Sequence, residues 1–214
     1  ESENGSLPRI STKDWSGIVQ KDELTNEDFS GFTAGTADKP DGTSLCDIYG
    51  KYGPQREEID SKYTSTPGWH GNWVFQAGGN AALIDSLGSV GAFINTPLGD
   101  YSGDLTITVR VKGLEKDPSS FFVNVVKGGY YDPYTLGGWN FSVTNKGWQV
   151  FEIKFHNVVA DNDGFVQLVT YGKCIVDYFY VTNTYNFLAA PKVLAPTNFT
   201  TDGFTANWQP VRRA

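Results

Sequence analysis

The residues best suited to chemistry in this 214-residue chain are aromatic rings in stretches with little need to bury them. Gly128-Gly129-Tyr130-Tyr131-Asp132-Pro133-Tyr134-Thr135-Leu136-Gly137-Gly138-Trp139 reads as a loop by its glycine and proline content, yet it carries four aromatic residues. Pro67-Gly68-Trp69-His70-Gly71-Asn72-Trp73 is a second such stretch. A flat ring outside a core stacks on another apolar face, such as that of a pyranose whose hydroxyls are taken by nearby amides and carboxylates. Trp69, Tyr130, Tyr131, Tyr134 and Trp139 are therefore the candidate ligand contacts. The alternative is that these rings cover a sheet edge or pack on a neighbouring domain. Trp73 leads into a strand, and Trp148 opens a core strand and reads as structural.

Groups that could break bonds are scarce. Glu58-Ile59-Asp60 resembles the start of the Glu-x-Asp-x-x-Glu signature of jelly-roll β-glucanases, but Tyr63 stands where the second Glu belongs. Retaining hydrolysis needs both carboxylates, so the chain is read as not an enzyme. His70 and His156, its only histidines, have no nucleophile or metal partner at a recognisable spacing. Asp161-Asn162-Asp163-Gly164 begins like a calcium loop, yet Gly172 occupies the closing position, and a β-turn is the reading. Cys46 and Cys174 stand 128 positions apart, either bridged across a long loop or present as two buried thiols; neither has zinc-site spacing.

These residues need a scaffold, and the composition points to strands. With 24 Gly, 10 Pro, 14% aromatic and 19% charged residues, the chain suits many short strands joined by tight turns. A net charge of −7 argues against nucleic acid or an anionic membrane as partner. No apolar run approaches the ~20 residues that span a bilayer. Opening on Glu1 without a leader, the chain reads as a segment processed or cut from a longer protein. Residues 1–20 form an arm, 21–185 one sandwich domain, 186–195 a linker and 196–214 the start of something new.

Within the sandwich the clearest strand is Leu105 to Val111, whose Leu105, Ile107, Val109 and Val111 alternate with Thr106, Thr108 and Arg110. Trp148 to Val159 places Phe151, Ile153 and Phe155 on one face and Glu152 and Lys154 on the other. Phe165 to Tyr171 and Cys174 to Thr182 follow, the last apolar on both faces. Asp177 shares a face there with Ile175, Phe179 and Val181, which is costly unless the carboxylate is paired, hydrogen-bonded or metal-bound. Leu24 to Phe32 is the first candidate strand. About nine or ten strands and no convincing helix give an all-β, two-sheet antiparallel jelly-roll sandwich.

Gly103 to Gly113, Gly147 to Ile153 and Ile175 to Val181 follow one another as in bacterial jelly-roll carbohydrate-binding modules, and residues 24–183 resemble their galactose-binding-like sandwich. That resemblance implies a non-catalytic module for a glycan or polysaccharide. It also implies a structural calcium shared by the closing-strand Asp177 and a first-strand carboxylate, taken as Asp28. Ala195-Pro196-Thr197-Asn198-Phe199 and Phe204 to Pro210 resemble the first two strands of a fibronectin type III domain, truncated here. The parent would then be modular and secreted or surface-anchored. The competing expectation is an adhesion or spacer domain whose partners are neighbouring domains.

Overall fold

Alternation of side chains builds the longest ladder of this computed structural model, which describes residues 19–46, 58–129, 133–186, 193–197 and 205–208. In chain order the strands are β1 (Val19–Glu27), β2 (Ser44–Cys46), β3 (His70–Asn72), β4 (Val74–Gln76), β5 (Ala81–Ile84), β6 (Ala92–Pro97) and β7 (Ser102–Gly113). They continue as β8 (Ser119–Lys127), β9 (Tyr134–Val143), β10 (Gln149–Val159), β11 (Phe165–Tyr171), β12 (Lys173–Asn186), β13 (Val193–Thr197) and β14 (Thr205–Trp208). β10 pairs antiparallel with β7, setting Phe151 opposite Val109, Ile153 opposite Ile107 and Phe155 opposite Leu105. The aliphatic members face the core while Glu152 and Lys154 face water, as the period-two pattern requires.

One sheet runs β10-β7-β12-β5-β4-β2, with β1 paired to β12; the other runs β3-β6-β11-β8-β9. Their inner faces close one core that includes Leu105, Ile107, Val109, Val123, Leu168 and Val176. The protein is an all-β jelly-roll sandwich. Residues 22–183 form one compact unit, and the second unit contains the antiparallel β13–β14 pair, with Val193 opposite Trp208.

Three expectations are corrected. The first strand ends at Glu27 rather than Phe32, because the buried Glu27 carboxylate accepts the N–H groups of Phe29 (2.8 Å) and Ser65 (2.6 Å) and folds the chain into a turn. Phe29 takes φ 53 there, and its ring stacks on Phe32 at 5.3 Å inside the core. In β12 the alternation slips by one residue: Cys174 and Val176 face the core, and so do Phe179 and Val181, leaving Asp177 and Tyr178 between them half exposed. Ile175 joins Ala82 in a small cluster on the far side of the same sheet. Asp177 is therefore not set among Phe179 and Val181.

The question left open for the cysteines is answered by register. Cys174 lies opposite Leu83, Leu83 opposite Val74 and Val74 opposite Cys46. Three strand spacings separate the two thiols by about 14 Å, about twice the widest Cα separation a disulfide spans. Both cysteines are buried and not bridged, and burial pushes the Cys174 thiol up to about 12.

Candidate functional site

The outward face of the five-stranded sheet is where unsatisfied polar chemistry collects. Ile94, Val123 and Leu168 point into the core, so their neighbours Asn95, Asn124 and Gln167 point outward. Strand pairing then aligns distant residues: His70 lies opposite Asn95, Asn95 opposite Gln167, Gln167 opposite Asn124 and Asn124 opposite Gly138. This row crosses all five strands and extends about 19 Å at ordinary strand spacing.

The amide of Asn124 donates to Gln167 Oε1 at 3.3 Å. A Cβ on Gly138 would stand 2.3 Å from Asn124 Oδ1, so a residue without a side chain is required for Asn124 to lie over β9. Beside the polar row runs an apolar one, in which Phe93, Val169 and Phe122 are aligned. Phe122 meets the exposed Tyr171 ring edge-on at 5.7 Å. Tyr171 in turn packs against Gly91, at the end of a loop held by Asp85, whose carboxylate accepts the N–H groups of Leu87, Gly88, Val90 and Gly91.

At its β3 end the polar row opens into a pocket of about 210 Å³ bounded by His70, Asn95, Pro97, Asp163 and Phe165. Its wall is fixed by hydrogen bonds. Asp161 accepts the Gly128 N–H on both oxygens at 3.1 and 3.0 Å, and the carbonyl of Gly164 accepts from Leu98 and Gly99 at 2.8 and 3.0 Å. Gly129, at φ 72, leaves only 3.2 Å between an added Cβ and Asp163, so the two loops touch.

Inside this frame Asn95 Oδ1 and His70 Nδ1 are buried and have no hydrogen-bond partner among the described residues. Asn95 is only 2% exposed. Buried polar atoms are satisfied in the great majority of cases, and leaving one unmet costs about 1–3 kcal/mol. Both atoms belong to residues that line the pocket.

No family model matches this chain, and no curated protein matches it. Solved structures are similar to it. The CBM22-1 xylan-binding domain from Paenibacillus barcinonensis Xyn10C aligns over 78% of this chain and 97% of its own, with 12% identity and a TM-score of 0.46. The C-terminal CBM6 of LamC, a marine laminarinase from Zobellia galactanivorans, aligns over 53% of this chain and 91% of its own, with 21% identity and a TM-score of 0.38. The CBM22-1–GH10 modules of Clostridium thermocellum xylanase 10B, complexed with xylohexaose, align over 81% of this chain and 30% of that one, with 12% identity and a TM-score of 0.43. At these identities the likeness concerns fold alone.

The residues singled out from sequence fall in different places. Trp69 is fully buried, meeting Phe29 and Phe179 edge-on at 6.0 and 6.1 Å and donating its indole N–H to Thr66 Oγ1 at 3.1 Å. It is a core residue, which corrects the expectation that it meets a ligand. Tyr130 and Tyr131 lie outside the described residues. Tyr134 and Trp139 are 63% and 54% exposed on the edge strand β9. Trp139 lies opposite the core residue Val123, so its ring belongs to the side of β9 away from the amide row. Lys127 sits over the Tyr134 ring at 5.2 Å.

The residues proposed for calcium each have a partner of their own. Asp28 is exposed and accepts the Ser30 N–H at 2.9 Å, which holds its carboxyl below the usual range. Asp177 is paired with Arg110, whose guanidinium also lies 4.7 Å from the Trp148 ring. Among the described residues no three His, Cys, Asp or Glu side chains cluster to hold a cation.

His70, Asn95, Asn124 and Gln167 went unnoticed as a set in the sequence. Their only signal there is a lone polar residue inside an apolar strand, as in Phe122-Val123-Asn124-Val125 and Val166-Gln167-Leu168.

Proposed function

We propose that this chain is a glycan-binding module and that the glycan lies across the outward face of the five-stranded sheet, along the amide row. The observation that carries the reading is that the amide row runs into a pocket lined by His70 and Asn95, two residues whose Nδ1 and Oδ1 have no hydrogen-bond partner among the described residues. Sugars match such a surface because each ring offers hydroxyl donors at its rim and an apolar face. The hydroxyls meet Asn95, Gln167 and Asn124, and the apolar face meets Phe122 and Tyr171. The pocket is smaller than the ~300 Å³ at which ordinary small-molecule sites begin, so it holds one ring-sized group while the rest of the chain lies on the sheet.

The module is read as non-catalytic: among the described residues Asp163 is the single carboxylate lining the pocket, and glycoside hydrolysis takes two. A secreted, modular parent with a fibronectin-type-III-like neighbour remains part of this proposal, supported by the residues of β13 and β14.

A second reading is favoured by the exposed Tyr134 and Trp139 rings, which lie apart from the row and suit an adhesion contact with a neighbouring domain. A polysaccharide pull-down and glycan array on the full chain, with Asn95→Ala, Gln167→Ala and a Tyr134→Ala/Trp139→Ala pair, separates the two. Glycan binding lost in the amide variants and kept in the aromatic pair is the expected result. Loss only in the aromatic pair moves the site to the β9 edge, and no binding to any glycan favours adhesion.

A further inference from the structure

The charge around the pocket narrows the ligand. Among the described residues that line it there is no Lys or Arg, and the one formal charge is the exposed carboxylate of Asp163. Asp161 stands two residues away, committed to the Gly128 N–H that would otherwise be an anion donor. Lys127, next to that glycine in the chain, has its ammonium over the Tyr134 ring. Asn95 and His70 line it as neutral polar residues, with Asn95 Oδ1 and His70 Nδ1 buried and without a partner among the described residues.

The pocket therefore presents polar side chains and, through Asp163, a negative charge. A hydroxyl or ammonium on the ligand meets a partner there. A carboxylate meets Asp163, with no Lys or Arg among the described lining residues to offset the repulsion, and it must shed water to enter.

We propose that this pocket takes a neutral or amino sugar and rejects uronic acids. The proposal rests on the glycan-binding reading and adds a ligand class to it. The −7 net charge of the chain acts in the same direction at longer range.

The test uses the full chain and matched ligands: oligosaccharides found to bind, and the same oligosaccharides after oxidation of their C6 hydroxymethyl groups to carboxylates, so that linkage and length are unchanged. Affinities are measured by calorimetry at pH 8, above the range in which histidines ordinarily titrate, in low salt and in 0.5 M salt. Oxidation is expected to weaken binding at least tenfold in low salt. Asp163→Asn is expected to recover part of that loss, read as a smaller ratio between the affinities for the unoxidised and the oxidised ligand.

Equal or tighter binding of the oxidised ligands overturns the proposal, as does a penalty that Asp163→Asn leaves untouched. The underlying reading fails in a different way: no unoxidised glycan binds, or binding persists in Asn95→Ala. Either of those overturns both.

Discussion

The two outward faces of the sandwich carry similar residue types and differ in how those residues are satisfied. On the seven-stranded sheet Arg110 is paired with Asp177 and rests on Trp148, and the Tyr178 and Tyr180 rings stack on each other at 4.7 Å. On the five-stranded sheet Asn124 and Gln167 hold each other, but Asn95 Oδ1 and His70 Nδ1 are left over. A polar or aromatic group on a surface says little about function by itself. An unmet one in a residue that lines a pocket says more.

Several substitutions break or sharpen that contrast. The largest effect is expected at Trp69, which belongs to neither face: Trp69→Ala should cost about 3–5 kcal/mol, read as a lowered denaturation midpoint, because the ring fills the core between Phe29 and Phe179. A loss of glycan affinity at unchanged stability would return it to the ligand. Next comes Asn95→Ala, for which we expect at least a tenfold loss of glycan affinity and a melting temperature equal to or above the parent's, since an unmet buried oxygen is removed. A large drop in stability without ligand would show that Asn95 is structurally satisfied.

Arg110→Ala tests the other face. Its pair is partly exposed and screened by solvent, so the loss should be about 1 kcal/mol of stability, with glycan binding unchanged. A parallel loss of affinity would mean that both faces serve the ligand.

The smallest effect is expected at Asp104, which accepts the Asn157 N–H at 2.8 Å and touches His156 Nδ1 at 3.0 Å. These contacts, the backbone bond first, hold its carboxyl below the usual range. A lowered folded-state value means that its contribution is present above the ordinary carboxylate pKa of about 4 and is lost as pH falls through the folded value. Asp104→Asn should therefore cost less than about 1 kcal/mol at pH 7, and the gap should close at a pH well below the ordinary carboxylate range. Urea melts at both pH values check the sign.

The thiols offer a cleaner test of the fold. With Cys46 and Cys174 buried and not bridged, and the Cys174 thiol pushed up to about 12, both should resist alkylation at pH 8 until the protein is unfolded. A reductant should leave the melting temperature unchanged. A drop on reduction would contradict the strand register that sets them apart.

How much of this was legible in the sequence depends on whether the deciding contact is local. Leu105, Ile107, Val109 and Val111 announce their strand because alternation is a property of neighbours, and the structure buries all four. The slip in β12 was not legible, since two half-exposed residues, Asp177 and Tyr178, look the same as continued alternation until partners are known. Trp69 was misread because Gly68 and Gly71 mark its stretch as a loop; the chain does turn at Gly68, at φ 87, yet it turns the indole inward. The amide row was hidden for a deeper reason. His70, Asn95, Asn124 and Gln167 are brought into line by three separate strand pairings, and pairing across a sheet is not written in any one segment.

The most direct test is a heteronuclear NMR titration of the full chain with a bound oligosaccharide, following side-chain resonances on both faces. The side-chain amides of Asn95, Gln167 and Asn124 should shift together and saturate at one dissociation constant, while Arg110 Nε and the Trp148 indole stay in place. Saturable shifts at Arg110, Trp148 or the Trp139 indole, with the three amides unmoved, would contradict the assignment of the five-stranded sheet as the binding face.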